Sequence, residues 1–97
     1  MRTLNIGNMD LSGLVDNMNG TFRGCSNLRS ITGQFVGLKK SISFGWSQLL
    51  DHDSAMMVIN SAETVTTVQT IGFSSNTKAL LSDEEKAIAT KKGWTIA

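Results

Sequence analysis

The only stretch that gathers a base, carboxylates and a hydroxyl is Asp51-His52-Asp53-Ser54, which holds the single histidine of the chain. Those types are the parts of a nucleophile–base–orienter relay. A relay needs side chains that converge, however, and neighbours at the start of a helix point in different directions. Asp51 has a simpler use as a helix cap. Zinc wants four ligands, or three and a water, and this cluster supplies too few.

The other reactive types read in the same way. Cys25 is the only cysteine, so no internal disulfide exists, and it reads as a compact buried side chain at the end of the first helical segment. Glu84 and Glu85 could serve a glycosidase only if they faced a cleft from two sides, and their position suits a helix start better. Gly7 and the glycines of residues 20–24 lack the Lys-Ser/Thr partner of a phosphate loop. No catalytic residue, metal or cofactor is expected, and the chain is not expected to be an enzyme.

Charge narrows the partners. The net charge is +1, and the nine basic residues are scattered, with only Lys39-Lys40 and Lys91-Lys92 adjacent. Nucleic acid needs clustered Lys and Arg, so it is not an expected partner. No apolar run approaches the roughly 20 residues of a membrane span. The first six residues carry no secretory signal, and the chain reads as a piece of a longer protein.

The elements that must position these residues follow from periodicity. An apolar–small–apolar triplet recurs as Leu4-Asn5-Ile6, Ile42-Ser43-Phe44, Ile71-Gly72-Phe73 and Trp94-Thr95-Ile96, with a weaker copy at residues 28–31. Period two marks strands, and recurrence every 20 to 30 or so residues marks a solenoid. Between the triplets the period turns helical. Leu14, Met18 and Phe22 suggest a short first helix. Asp51 caps a middle helix whose stripe is Ala55, Val58, Ile59 and Ala62, widened by Met56 and Met57, with Leu50 as a staple. Ser82 and Glu85 form a capping box for the last helix, which faces inward through Ala87 and Ile88 and stops at Gly93. The order is strand, helix, strand, strand, helix, strand, helix, strand, and helical crossovers imply parallel pairing. Residues 33–37 are too few for a helix and are expected to form a tight hairpin or an irregular excursion. Trp46 and Trp94 are both expected in the core.

Thr21-Phe22-Arg23-Gly24-Cys25-Ser26-Asn27-Leu28-Arg29-Ser30-Ile31 resembles a bacterial leucine-rich repeat of the BspA-like type, with its phenylalanine, its Gly-Cys-Ser and a leucine opening the next strand. Leu4 to Asp10 and Val15-Asp16-Asn17-Met18 resemble the strand and Asn-Met segment of that repeat. The remainder, with Leu50 to Ala55 and the tail from Leu81 to Trp94, is similar to the C-terminal end of such proteins in gut bacteria and their phages. The chain departs from the pattern in lacking an asparagine ladder and in its unequal repeat lengths.

The resemblance implies an α/β fold, a short leucine-rich-repeat-like solenoid with a mainly parallel sheet and helices on one face. On this reading the single domain 1–97 divides into a repeat (1–31), an irregular repeat with the central helix (32–66) and a strand–helix–strand cap (67–97). It also implies adhesion or protein recognition at the cell surface or in secreted form. The expected function is a non-catalytic interaction and structural module, the C-terminal end of a longer surface protein. The alternative is a carbohydrate- or cell-surface-binding domain of an adhesin or phage fibre. A protein or glycan ligand would meet the outward strand positions, here Asn5, Thr32, Ser41, Ser43, Thr70 and Thr95. The unpaired N-terminal sheet edge is expected to favour self-association.

Overall fold

Parallel strands cannot be joined by tight turns, so the segment between two partners must cross back over the sheet. The computed structural model describes residues 3–13 and 24–97 and follows this constraint. Its elements are β1 (Thr3–Asp10), β2 (Ser30–Val36), β3 (Ile42–Phe44), α1 (His52–Ser61), β4 (Gln69–Phe73), α2 (Ser75–Lys78), α3 (Asp83–Lys91) and β5 (Trp94–Ile96). β1 pairs with β2, and β3, β4 and β5 form a second sheet in that order, every pairing parallel. The chain is thus a mixed α/β domain of short parallel sheets and helices. The expected first helix on Leu14, Met18 and Phe22 lies outside the described residues.

Residues 33–37 form neither a hairpin nor an excursion. The strand simply continues: β2 runs through Gly33 to Val36 and pairs with Gly7 to Asp10 of β1, so it also spans the join between 1–31 and 32–66. A register shift between Asn5 and Gly7 brings the two backbones very close. A Cβ on Gly33 would sit 2.3 Å from the Gly7 carbonyl oxygen, and Gly33 has φ +103. Only glycine allows both.

α1 docks on the free edge of β2. Ser54 and Ser61 lie two helical turns apart on one face of the helix. Their hydroxyls accept the backbone N–H groups of Ile31 at 2.8 Å and Phe35 at 3.3 Å. The helix therefore occupies the place of a third strand. Beneath it, Ala55, Val58 and Ile59 join Ile31, Phe35, Leu38, Ile42, Phe44, Ile71 and Trp94 in one buried cluster. The registered pair Phe44 and Phe73 stack with ring centroids 6.2 Å apart.

The last helix starts where expected, with Ser82 as cap and a reciprocal box: Glu85 N–H donates to Ser82 Oγ at 3.1 Å, and Ser82 N–H to Glu85 Oε1 at 2.8 Å. Its inward face is rotated from expectation. Ala89 is fully buried and Ile88 is exposed, because Glu85, Ala89 and Lys92 form the row turned to α1. Trp94 is buried, with its indole N–H on the Glu63 carbonyl at 2.7 Å. Trp46 is 43% exposed instead of buried: β3 ends at Phe44, and the turn that follows, closed by Ser47 N–H on the Phe44 carbonyl, breaks the alternation. Cys25 is half-buried rather than buried, because Leu28 takes the core position. The one-turn α2, capped by Ser74, has no counterpart in the expected order.

Three substitutions test these contacts through stability. Ser82→Ala should lose about 1 kcal/mol, measured as a lower denaturant midpoint. Gly33→Ala should lose about 2 kcal/mol or more, because backbone must move to admit the methyl group. Gly7→Ala, where φ is +56 but no atom lies within 4 Å, should lose only about 1 kcal/mol. The reverse ranking would mean that the β1–β2 approach is not as described.

Candidate functional site

The six outward strand positions fall into two groups. Asn5 and Thr32 are register partners on β1–β2, and both are exposed. Ser43, Thr70 and Thr95 belong to the other sheet, and Ser41 immediately precedes its first strand. Thr70 pairs with Thr95, and the Ser43 hydroxyl covers Gly72, where a Cβ would approach it to 2.7 Å. Ser41 is committed to holding the sheet. Its Oγ accepts Thr70 N–H at 2.9 Å and donates to Gln69 Oε1 at 3.1 Å, while its own N–H donates to Gln69 Oε1 at 3.0 Å. Side-chain rungs also link Thr3 with Ser30 and Asn8 with Gln34. These rows can offer a ligand many weak polar contacts but no aromatic or arginine anchor.

A groove of about 330 Å³ opens beside Ser41, between the turn after β2 and the segment before β4. Lys39, Lys40, Ser12, Thr64, Thr66 and Thr67 supply its polar lining, with Gly37, Leu11, Val65 and Gln69 completing it. Sequence reading singled out Lys39-Lys40 only as an adjacent basic pair. The threonines gave no signal, since the segments that form the groove are distant in the chain.

His52 is placed by α1 and Glu85 by α3, and the two meet. His52 Nε2 donates to Glu85 Oε2 at 2.5 Å, and His52 Nδ1 lies 3.3 Å from Asp53 Oδ1. The other Glu85 oxygen stays in the capping box, so one carboxylate closes a helix and joins two. At the opposite end Lys92 Nζ donates to the Ile59 and Asn60 carbonyls at 3.1 and 3.2 Å, serving the C-terminus of α1. The pair is a clasp that ties α1 to α3, while the Ser54 and Ser82 hydroxyls accept the backbone N–H groups of Ile31 and Glu85. Among the described residues no group of three His, Cys, Asp or Glu could hold a metal ion, and no helix is long and apolar enough to cross a membrane.

The clasp titrates in a defined direction. The hydrogen bond to the Glu85 carboxylate, then that to Asp53, raises the His52 pKa above its ordinary 6.5. The Ser82 backbone N–H first, then His52, lower that of Glu85 below 4.5. A raised histidine stabilises fully below the unfolded value and loses its contribution as pH rises through the folded one. A lowered carboxylate stabilises fully above the unfolded value and loses its contribution as pH falls through the folded one. The margin in melting temperature of the wild type over His52→Ala should therefore be greatest between pH 4.5 and 6.5 and shrink on both sides. A margin that grows above neutrality would contradict the clasp.

The chain matches no family model, no curated protein and no solved structure.

Proposed function

We propose that the chain is a non-catalytic interaction and structural module: the C-terminal repeats and end cap of a longer bacterial or phage surface protein of the BspA-like leucine-rich-repeat type. One observation carries this reading. Segments at near-constant separation lie side by side in parallel, with Thr3 meeting Ser30 27 residues on, Asn8 meeting Gln34 26 on, and Ser41 meeting Thr70 29 on. A solenoid stacks its repeats in this way.

The ends fit the same reading. A stacked array exposes its core at a terminus unless a final unit covers it. α3 and β5 supply such a cover, with Trp94 and Ala89 buried and the Ala97 N–H on the Ile71 carbonyl at 2.9 Å. At the other end β1 has β2 on one side and, among the described residues, no strand on the other. That edge is where a preceding repeat would pair, and in the isolated chain it favours self-association. The second reading, a carbohydrate- or cell-surface-binding domain of an adhesin or phage fibre, draws on the exposed polar rows at Asn5, Thr32 and Thr95.

The coding sequence directly upstream tests the first reading. Further copies of Phe-x-Gly-Cys-Ser-x-Leu at a spacing near that of Thr3 and Ser30 are the expected result. An unrelated upstream sequence, or turnover of a substrate by the purified chain, would overturn it.

A further inference from the structure

We propose that the groove lined by Lys39, Lys40, Thr64, Thr66 and Thr67 binds an acidic sugar, a hydroxylated ring that carries a sulfate or a carboxylate. The inference rests on the surface-binding reading for its biological sense, but the groove itself carries it.

Charge comes first. Among the described residues the lining contains two lysines and no carboxylate. The nearest acid along the chain on one side, Asp10, already accepts the Ser12 backbone N–H at 2.9 Å. On the other side Glu63 is exposed and stands outside the lining. Lys39 and Lys40 form no ion pair and no side-chain hydrogen bond among the described residues. Lys92 makes the contrast, its ammonium group being spent on two carbonyls of α1. Both lysines line one groove, so an oxyanion held there would be offered charge-assisted hydrogen bonds by two uncommitted ammonium groups.

The rest of the lining selects what bears the anion. Thr64, Thr66 and Thr67 are exposed, and their hydroxyls are unused among the described residues, each offering one donor and two acceptor positions. Half-buried Leu11 and Val65 offer apolar surface to the C–H groups of a ring. Among the described residues no aromatic side chain lines the groove, and these residues offer no platform for stacking a nucleobase. Its volume of about 330 Å³ is at the small end of ligand sites, which run from roughly 300 to 1,000 Å³.

The walls are held in advance. Glu63 N–H donates to the Leu38 carbonyl at 2.9 Å, Val65 N–H to that of Lys92 at 2.8 Å, and Gln69 N–H to that of Gly93 at 3.2 Å. Gln69 is fixed again by Ser41. The threonine segment is therefore tied to the turn after β2 and to the end of α3 before any ligand arrives. The ordering that remains to oppose binding falls on the side chains, chiefly the two lysines.

The test is an amide NMR titration of the whole chain with five probes: a sulfated disaccharide, a galacturonate oligomer, the neutral form of each sugar, and inorganic sulfate. Saturable shifts at Lys39, Lys40 and Thr64 to Thr67 with one or both acidic sugars, weakening as salt is raised, are expected. Which of the two binds identifies the acid group. Lys39→Ala/Lys40→Ala should weaken binding about tenfold or more while the melting temperature holds. Thr66→Val/Thr67→Val should weaken the sugar more than sulfate. Equal binding of the neutral sugars, shifts confined to other residues, sulfate binding as tightly as the sugar, or full affinity in the lysine double variant would each overturn the proposal. None of these results bears on the upstream repeat sequence, so the two readings fail separately.

Discussion

The outer backbone donors of β2 set the problem that the rest of the molecule solves. β1 pairs with one edge of β2, and the other edge must be satisfied in the interior, where Ile31 and Phe35 are buried. A buried N–H without a partner costs about 1–3 kcal/mol. Another strand is the usual answer. Here the answer is a helix whose Ser54 and Ser61 hydroxyls arrive at comparable intervals: two turns rise about 10 Å, and the four strand steps from Ile31 to Phe35 span about 13 Å. That match leaves α1 a single seat. It also closes the β2 edge to a further strand and brings Asp51 N–H to the Arg29 carbonyl at 2.8 Å.

Once α1 is seated, it becomes the template for the C-terminal third. His52 and Lys92 bind α3 to it near both ends, and Ala89, with almost no side chain, lets the two helices approach between those ties. α3 in turn delivers Gly93 and Trp94 to the edge of β4. The backbone bonds from Val65 and Gln69 to the end of α3 then fix the threonine segment. The groove wall is thus a by-product of helix placement, rigid because the elements behind it are rigid. No local motif builds it.

This dependence explains what could be read from the sequence. β3 and β5 coincide with Ile42-Ser43-Phe44 and Trp94-Thr95-Ile96, because period-two burial is a local signal. The Ser82 box and the Asp51 cap were equally legible, each being settled within four residues. The seats of Ser54 and Ser61 were not, since a serine on a helix ordinarily points to solvent and only the edge of β2 gives it another role. Ile88 and Ala89 exchanged places for the same reason: tertiary ties at Glu85 and Lys92 override the bulkier apolar residue. The period that placed Trp46 inside ends with its strand. The groove left almost no trace, because its lysines and threonines meet only after three distant segments are fixed.

The two tryptophans end in opposite surroundings, and this gives the molecule a built-in optical contrast. The Trp94 indole is enclosed at the junction of α3, β5 and the Glu63 carbonyl, while Trp46 sits on a turn that water reaches. Burial shields the first from dissolved quenchers and shifts its emission to the blue relative to the second, which a quencher in solution can reach. Loosening of the C-terminal cap therefore has its own colour, separable from changes around β3 without any added label.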